Sequence, residues 1–149
     1  MPAAAKKAAA QRDTGSGRPL VVKLGLDEGM RGAVLGAPPR YRESLIADSG
    51  AVLAEALAPE LAFIQVFVTR RDDLARTLPR AMKSLVDRGA LWVSWPKRAA
   101  RVETDVTEDV VREVALPLGL VDVKVCAVDE VWSGLKLVRR LPAKQQRKA

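Results

Sequence analysis

The chain predicts a three-layer α/β domain: a mostly parallel sheet of six strands in the order 2-1-3-4-6-5, with the last strand antiparallel. Two observations carry that expectation. Short, continuously apolar runs such as "LAFIQVFV" (61–68) and "ALWVSW" (90–95) alternate with segments of helical spacing, the pattern of strands covered on both faces. Only five residues, Asp129 to Ser133, separate the last two apolar runs. That is too short for a crossover helix, so those two strands must form an antiparallel hairpin.

The elements follow in order. "LVVKLGLDEGM" (20–30) is a short apolar segment and turn punctuated by Gly25 and Gly29. "RGAVLGA" (31–37) is a first buried strand closed by Gly36 and Pro38. "PRYRESLIAD" (39–48) opens with a proline suited to a first helical turn, and Tyr41, Leu45 and Ile46 follow helical spacing. "GAVLAEAL" (50–57) reads as a strand to about Ala54 or as helix throughout, since alanine and leucine favour the latter. After the 61–68 strand, Thr69 with Asp72 resembles a helix N-cap pair. Pro79 is expected to divide the following helix into pieces at 70–77 and 78–87, with Gly89 as the stop.

The strand at 90–95 ends at Pro96. Asp105 is then expected to cap a helix, with Glu108 three residues on and Val106, Val110, Val111 and Val114 on one stripe. Pro117 and Gly119 end it, and the hairpin strands are read at 120–128 and 134–141.

Composition bounds the function. Of the 149 residues, 48% are hydrophobic, as in a globular domain. No apolar run approaches the ~20 residues of a membrane span, and the first residues lack the apolar stretch of a secretory signal, so a cytoplasmic location is expected. With no histidine and one cysteine, metal sites and Ser-His or Cys-His nucleophiles are not expected. Cys126 lies in an apolar run and reads as a small core hydrophobe. The net charge is +7, but residues 1–19 contribute +3 and residues 142–149 another +3, which leaves +1 for the single domain at 20–141. The two basic segments read as disordered tails, and nucleic acid is expected to meet the protein only through them.

Parallel strands share an edge at their C-terminal ends, and open α/β sheets bind ligands there. That edge collects Arg40 and Tyr41 after the first strand, Glu55 after the second, Thr69 and Arg70 after the third, and Trp95, Lys97 and Arg98 after the fourth. The hairpin turn adds Asp129, Glu130, Trp132 and Ser133. Trp92 is expected in the core. Trp95 and Trp132 either seal the top of the sheet or form a stacking wall for a planar ligand or a partner's side chain. Lys97, Arg98 and Arg101 either receive an anion near the next helix N-terminus or pair with Asp129 and Glu130. Nothing near Ser133 could activate it except Lys97.

The segments "FVTRRDDL", "LWVSWPK", "TDVTEDVVREV" and "GLVDVKVCAVDEVWSGLKLVRR" resemble the bacterial family catalogued as domain of unknown function 3052, over about residues 20–141. The resemblance implies a Rossmann-like fold similar to a shortened class I methyltransferase. In that fold a glycine-rich turn after the first strand approaches S-adenosylmethionine, and an acid after the second strand holds its ribose. Here the turn "LGAPPRY" offers Gly36 with two prolines, and Glu55 would be the acid. The expectation is a degenerate, non-catalytic module without cofactor, binding a small ligand or a protein at the sheet edge. S-adenosylmethionine-dependent methyl transfer is one alternative, and a nucleic-acid-associated protein anchored through its basic tails is the second.

Overall fold

The computed structural model describes residues 12–13 and 19–140. The basic segments at the two ends lie almost wholly outside the described residues. Six strands make the sheet: β1 (Arg31–Leu35), β2 (Val52–Ala54), β3 (Leu61–Phe67), β4 (Leu85–Pro96), β5 (Leu120–Ala127) and β6 (Trp132–Arg139). Their order is 2-1-3-4-6-5, and Arg12–Asp13 add a two-residue parallel ladder outside β5. Strands β1 to β4 are mutually parallel, and β6 runs antiparallel between β4 and β5. The expected topology is therefore the observed one, and the doubtful second strand is real.

Helices cover both faces. α1 (Leu20–Leu24) and α2 (Tyr41–Ser49) lie on one side, α3 (Arg71–Ser84) and α4 (Glu108–Ala115) on the other. The two-residue period of β4 sorts its side chains between them. Leu91, Val93 and Trp95 join the core under α3 and α4, whereas Trp92 joins Leu24, Leu45 and Phe63 under α1 and α2. Trp92 is fully buried, and its indole N–H donates to the Leu24 carbonyl at 3.3 Å. Its ring lies over Gly134, where an added Cβ would stand 3.2 Å from the ring, so no larger residue fits without displacing it.

Several local expectations are corrected. Pro79 does not divide α3, which is continuous from Arg71 to Ser84. The proline removes one backbone bond, at a typical cost of ~3 kcal/mol. Leu74, Leu78 and Ala81 are completely buried, and each leucine returns ~1.5–3 kcal/mol. Gly89 is no helix stop. β4 already starts at Leu85, which pairs with Leu61, and residues 86–89 bulge out before Ala90 meets Phe63. "LVVKL" is helical, ended by Gly25 in the left-handed region. α2 begins at Tyr41, with Arg40 in a left-handed conformation at its cap.

The caps are redistributed too. Thr107, not Asp105, caps α4, its hydroxyl accepting the Val110 N–H at 3.2 Å. Asp105 instead accepts the Arg71 N–H at 2.6 Å and caps α3 from across the edge, where Thr69 and Asp72 were expected to serve. Thr104 seals the same junction by donating to the Thr69 carbonyl at 2.6 Å. At the other end of α3, the Arg139 guanidinium donates to the carbonyls of Met82 and Leu85. On α4, Arg112 reaches Glu108 at 2.5 Å, Asp109 at 3.4 Å and Asp122 of β5 at 2.9 Å.

Two expected outcomes follow from these side chains. Asp105→Ala should lower stability by about 1 kcal/mol in urea denaturation, with Asp105→Asn recovering most of it, because α3 has no cap of its own. The Arg112 hydrogen bond holds the Asp122 carboxyl below the usual carboxylate range. A depressed carboxylate contributes stability above its unfolded pKa, about 3.9, and loses it as pH falls through the folded value. Asp122→Asn should therefore flatten the loss of stability below about pH 4 in urea titrations made at stepped pH.

Candidate functional site

At the C-terminal end of β4, Trp95 pairs with Ser133 and Pro96 with Trp132 across the antiparallel ladder. Directly opposed residues share a face, so Trp95 and Ser133 point toward α4 while Trp132 points to the other side. Trp95, Lys97, Arg98 and Ser133 line one cavity of about 680 Å³, with Val102, Val106, Thr107, Glu108 and Asp109. Four of the expected site residues thus converge. Trp132 does not join them. Its ring meets Phe67 edge-on at 5.0 Å, and Phe67 meets Tyr41 edge-on at 4.9 Å, which makes an aromatic seal under α2.

Trp95 is only 7% exposed, so it forms the floor of this cavity and belongs to the core beneath it. The charges around it are unevenly matched. Glu108 and Asp109 are engaged by Arg112. Lys97, Arg98 and Arg101 make no side-chain ion pair or hydrogen bond among the described residues. The expected pairing with Asp129 and Glu130 does not form. Asp129 turns back on its own hairpin and accepts the N–H groups of Val131 and Trp132, both at 2.8 Å. The Lys97 N–H donates to the Val131 carbonyl at 2.7 Å, which fixes the cavity's loop to the hairpin through backbone alone.

A second cavity of about 410 Å³ lies between the turn after β1 and the end of β2, lined by Gly36, Pro38, Pro39, Arg40, Arg42 and Glu55 among others. Gly36 has φ +72°, and an added Cβ would stand 2.9 Å from the Phe67 carbonyl oxygen, so this turn requires glycine. Arg42 occupies the region. It donates to the Leu53 carbonyl at 2.8 Å and lies 3.4 Å from Glu55 and 3.5 Å from Glu43. The acid where a ribose would sit is therefore already met by a guanidinium. The adjoining turn gives up two backbone donors to Pro38 and Pro39.

Tyr41 belongs to neither cavity. Its hydroxyl donates to Gln65 at 2.8 Å, and Gln65 donates to Ser94 at 3.0 Å. Burial pushes the Tyr41 phenol well above its ordinary pKa. Gln65 and Ser94 are fully buried, and sequence reasoning missed this chain of hydrogen bonds. Its signal was the lone polar residue inside "LAFIQVFV". Arg42 and Arg112, which settle the charge of the two cavities, carry no sequence signature. Thr69 and Arg70 line neither cavity. Thr69 serves through its carbonyl, and Arg70 is an exposed residue before α3.

The geometry matches a known architecture. A TehB-like SAM-dependent methyltransferase from Corynebacterium glutamicum is similar with a TM-score of 0.60 at 10% identity, over 80% of this chain and 85% of that one. A SAM-dependent methyltransferase from Aquifex aeolicus gives 0.56 at 16% identity, over 92% and 97%. One from Thiobacillus denitrificans, solved with S-adenosyl-L-homocysteine, gives 0.56 at 10%, over 81% and 89%. At such identities the likeness shows the fold alone. No curated protein matches the chain in sequence. No helix among the described residues is long and apolar enough to cross a membrane. The family model described as "Protein of unknown function (DUF3052)" matches residues 42–141, and the chain, with its methyltransferase-like fold, belongs to that family.

Proposed function

We propose that the protein is a small, non-catalytic binding module, and that its ligand seat is the cavity above Trp95. The observation that carries this reading is the convergence of Trp95, Lys97, Arg98 and Ser133 on one cavity of about 680 Å³ at the C-terminal edge of the sheet. Small-molecule sites usually have ~300–1,000 Å³ and lie at this edge in open α/β folds.

The chemistry around the cavity argues for binding without reaction. The hydroxyl of Ser133 and the amine of Lys97 are not hydrogen-bonded to each other, so no activated nucleophile is assembled. The two carboxylates, Glu108 and Asp109, are engaged by Arg112, which disfavours a role as general base. The methyltransferase alternative rests on fold, and the Arg42–Glu55 contact weighs against it.

A thermal-shift screen of metabolites against the protein tests the reading. A ligand at 100 times its Kd raises stability by ~2.7 kcal/mol. Lys97→Ala should change stability by less than ~0.5 kcal/mol and weaken that ligand. Trp95→Ala should cost ~3–5 kcal/mol, because the ring is a core element. Ligands that stabilise Lys97→Ala as much as the parent protein would move the seat elsewhere. Calorimetric titration with S-adenosylmethionine should give no micromolar binding. Micromolar affinity that disappears in Glu55→Ala would replace this proposal with the methyltransferase reading.

A further inference from the structure

We infer that the ligand of the Trp95 cavity carries an anionic group, a phosphate or carboxylate, on an apolar body. The inference rests on the preceding assignment of the cavity as the binding seat and names the chemistry it would recognise. By formal charge the lining is balanced, with Lys97 and Arg98 against Glu108 and Asp109. By geometry the charges are segregated. Arg112 gathers Glu108, Asp109 and Asp122 at 2.5, 3.4 and 2.9 Å, whereas Lys97 and Arg98 make no side-chain ion pair among the described residues. The Lys97 and Arg98 side of the cavity therefore favours an anionic group locally, although the cluster as a whole is neutral.

The hydroxyls agree in sense. The Thr107 oxygen already accepts the Val110 N–H, so its own proton is left to donate. The Ser133 hydroxyl has no partner among the described residues. Each can give a hydrogen bond to an oxyanion, and bonds to a charged acceptor are the stronger kind. The apolar half of the ligand is called for by the opposite wall. Val102, 42% exposed, lines the cavity with Val106 and the Trp95 ring. The second cavity offers no such combination, because its Arg42 is already held by the Leu53 carbonyl, Glu43 and Glu55.

Isothermal titration of the full chain with 1-naphthyl phosphate, 1-naphthoate, neutral 1-naphthol and inorganic phosphate tests this. The naphthyl phosphate or the naphthoate should bind, at least about tenfold more tightly than either naphthol or phosphate alone, with affinity falling as salt rises. Lys97→Gln and Arg98→Gln, both on the surface loop, should each weaken it about tenfold while leaving the melting temperature unchanged. Equal binding of naphthol, still weakened by Val102→Asp, would overturn the anionic class and leave the cavity as the seat. Equal binding of inorganic phosphate would overturn the apolar half. Anion binding that both glutamine variants retain would place it elsewhere and overturn the inference. Failure of all four probes would overturn it as well, and the metabolite screen would then decide separately whether the cavity binds anything.

Discussion

Helix α3 is held at both ends by residues distant in the chain, and much of the architecture depends on that arrangement. Asp105, from the loop after β4, satisfies the Arg71 N–H, and Arg139, from the end of β6, satisfies the last carbonyls. A helix terminus leaves about four backbone groups unpaired, so supplying those partners from outside joins three elements at once. The crossover from β3 to β4 is tied to the loop before α4 and to the hairpin. That tie also sets the wall of the Trp95 cavity, because Thr104 and Asp105 pin the loop that carries Lys97, Arg98 and Val102. A single continuous helix, read locally as broken at Pro79, is kept whole by its distant partners and its buried face.

The alternation of β4 and β6 then divides the aromatic side chains between two tasks. Trp95 and Ser133 are register partners on the α4 side, whereas Pro96 and Trp132 are partners on the α2 side. One residue of register separates a cavity floor from an aromatic seal. Beneath that seal the hydrogen-bonded chain from Tyr41 through Gln65 to Ser94 places polar groups in a dry core. Each of these donors finds an acceptor, the condition on which buried polar atoms are tolerated. The hydrogen bond from Gln65 to Ser94 also ties β3 to β4 at the centre of the sheet.

Charge placement sets the character of the two cavities at the sheet's C-terminal edge. Arg42 lines the second cavity and lies 3.4 Å from Glu55, whose side chain is largely exposed. Arg112 gathers Glu108, Asp109 and Asp122 on one side of the neighbouring cavity, and Lys97 and Arg98 are left without an ion pair among the described residues. Both arginines act by partner choice. At these sequence identities the likeness to methyltransferases is one of fold alone.

The strand order is what the resemblance to a methyltransferase-like fold implied; the sequence by itself determined the alternation of strands and helices, the antiparallel hairpin and the edge on which the cavity lies. Those features follow from periodicity and from a connection too short to cross over, both of which are local in the chain. It also determined that Trp92 is core, since a large residue in mid-strand has packed helices on either side. Only the tertiary structure decided that Trp95 and Trp132 part company, because register between distant strands sets which face a side chain meets. It alone decided that Asp105 caps α3 and not α4, that Asp129 folds back on its own turn, and that Lys97 and Arg98 stay unpaired. Caps and ion pairs are chosen by distance in space among many residues of the same type. No pattern along the chain encodes those distances before the sheet has formed.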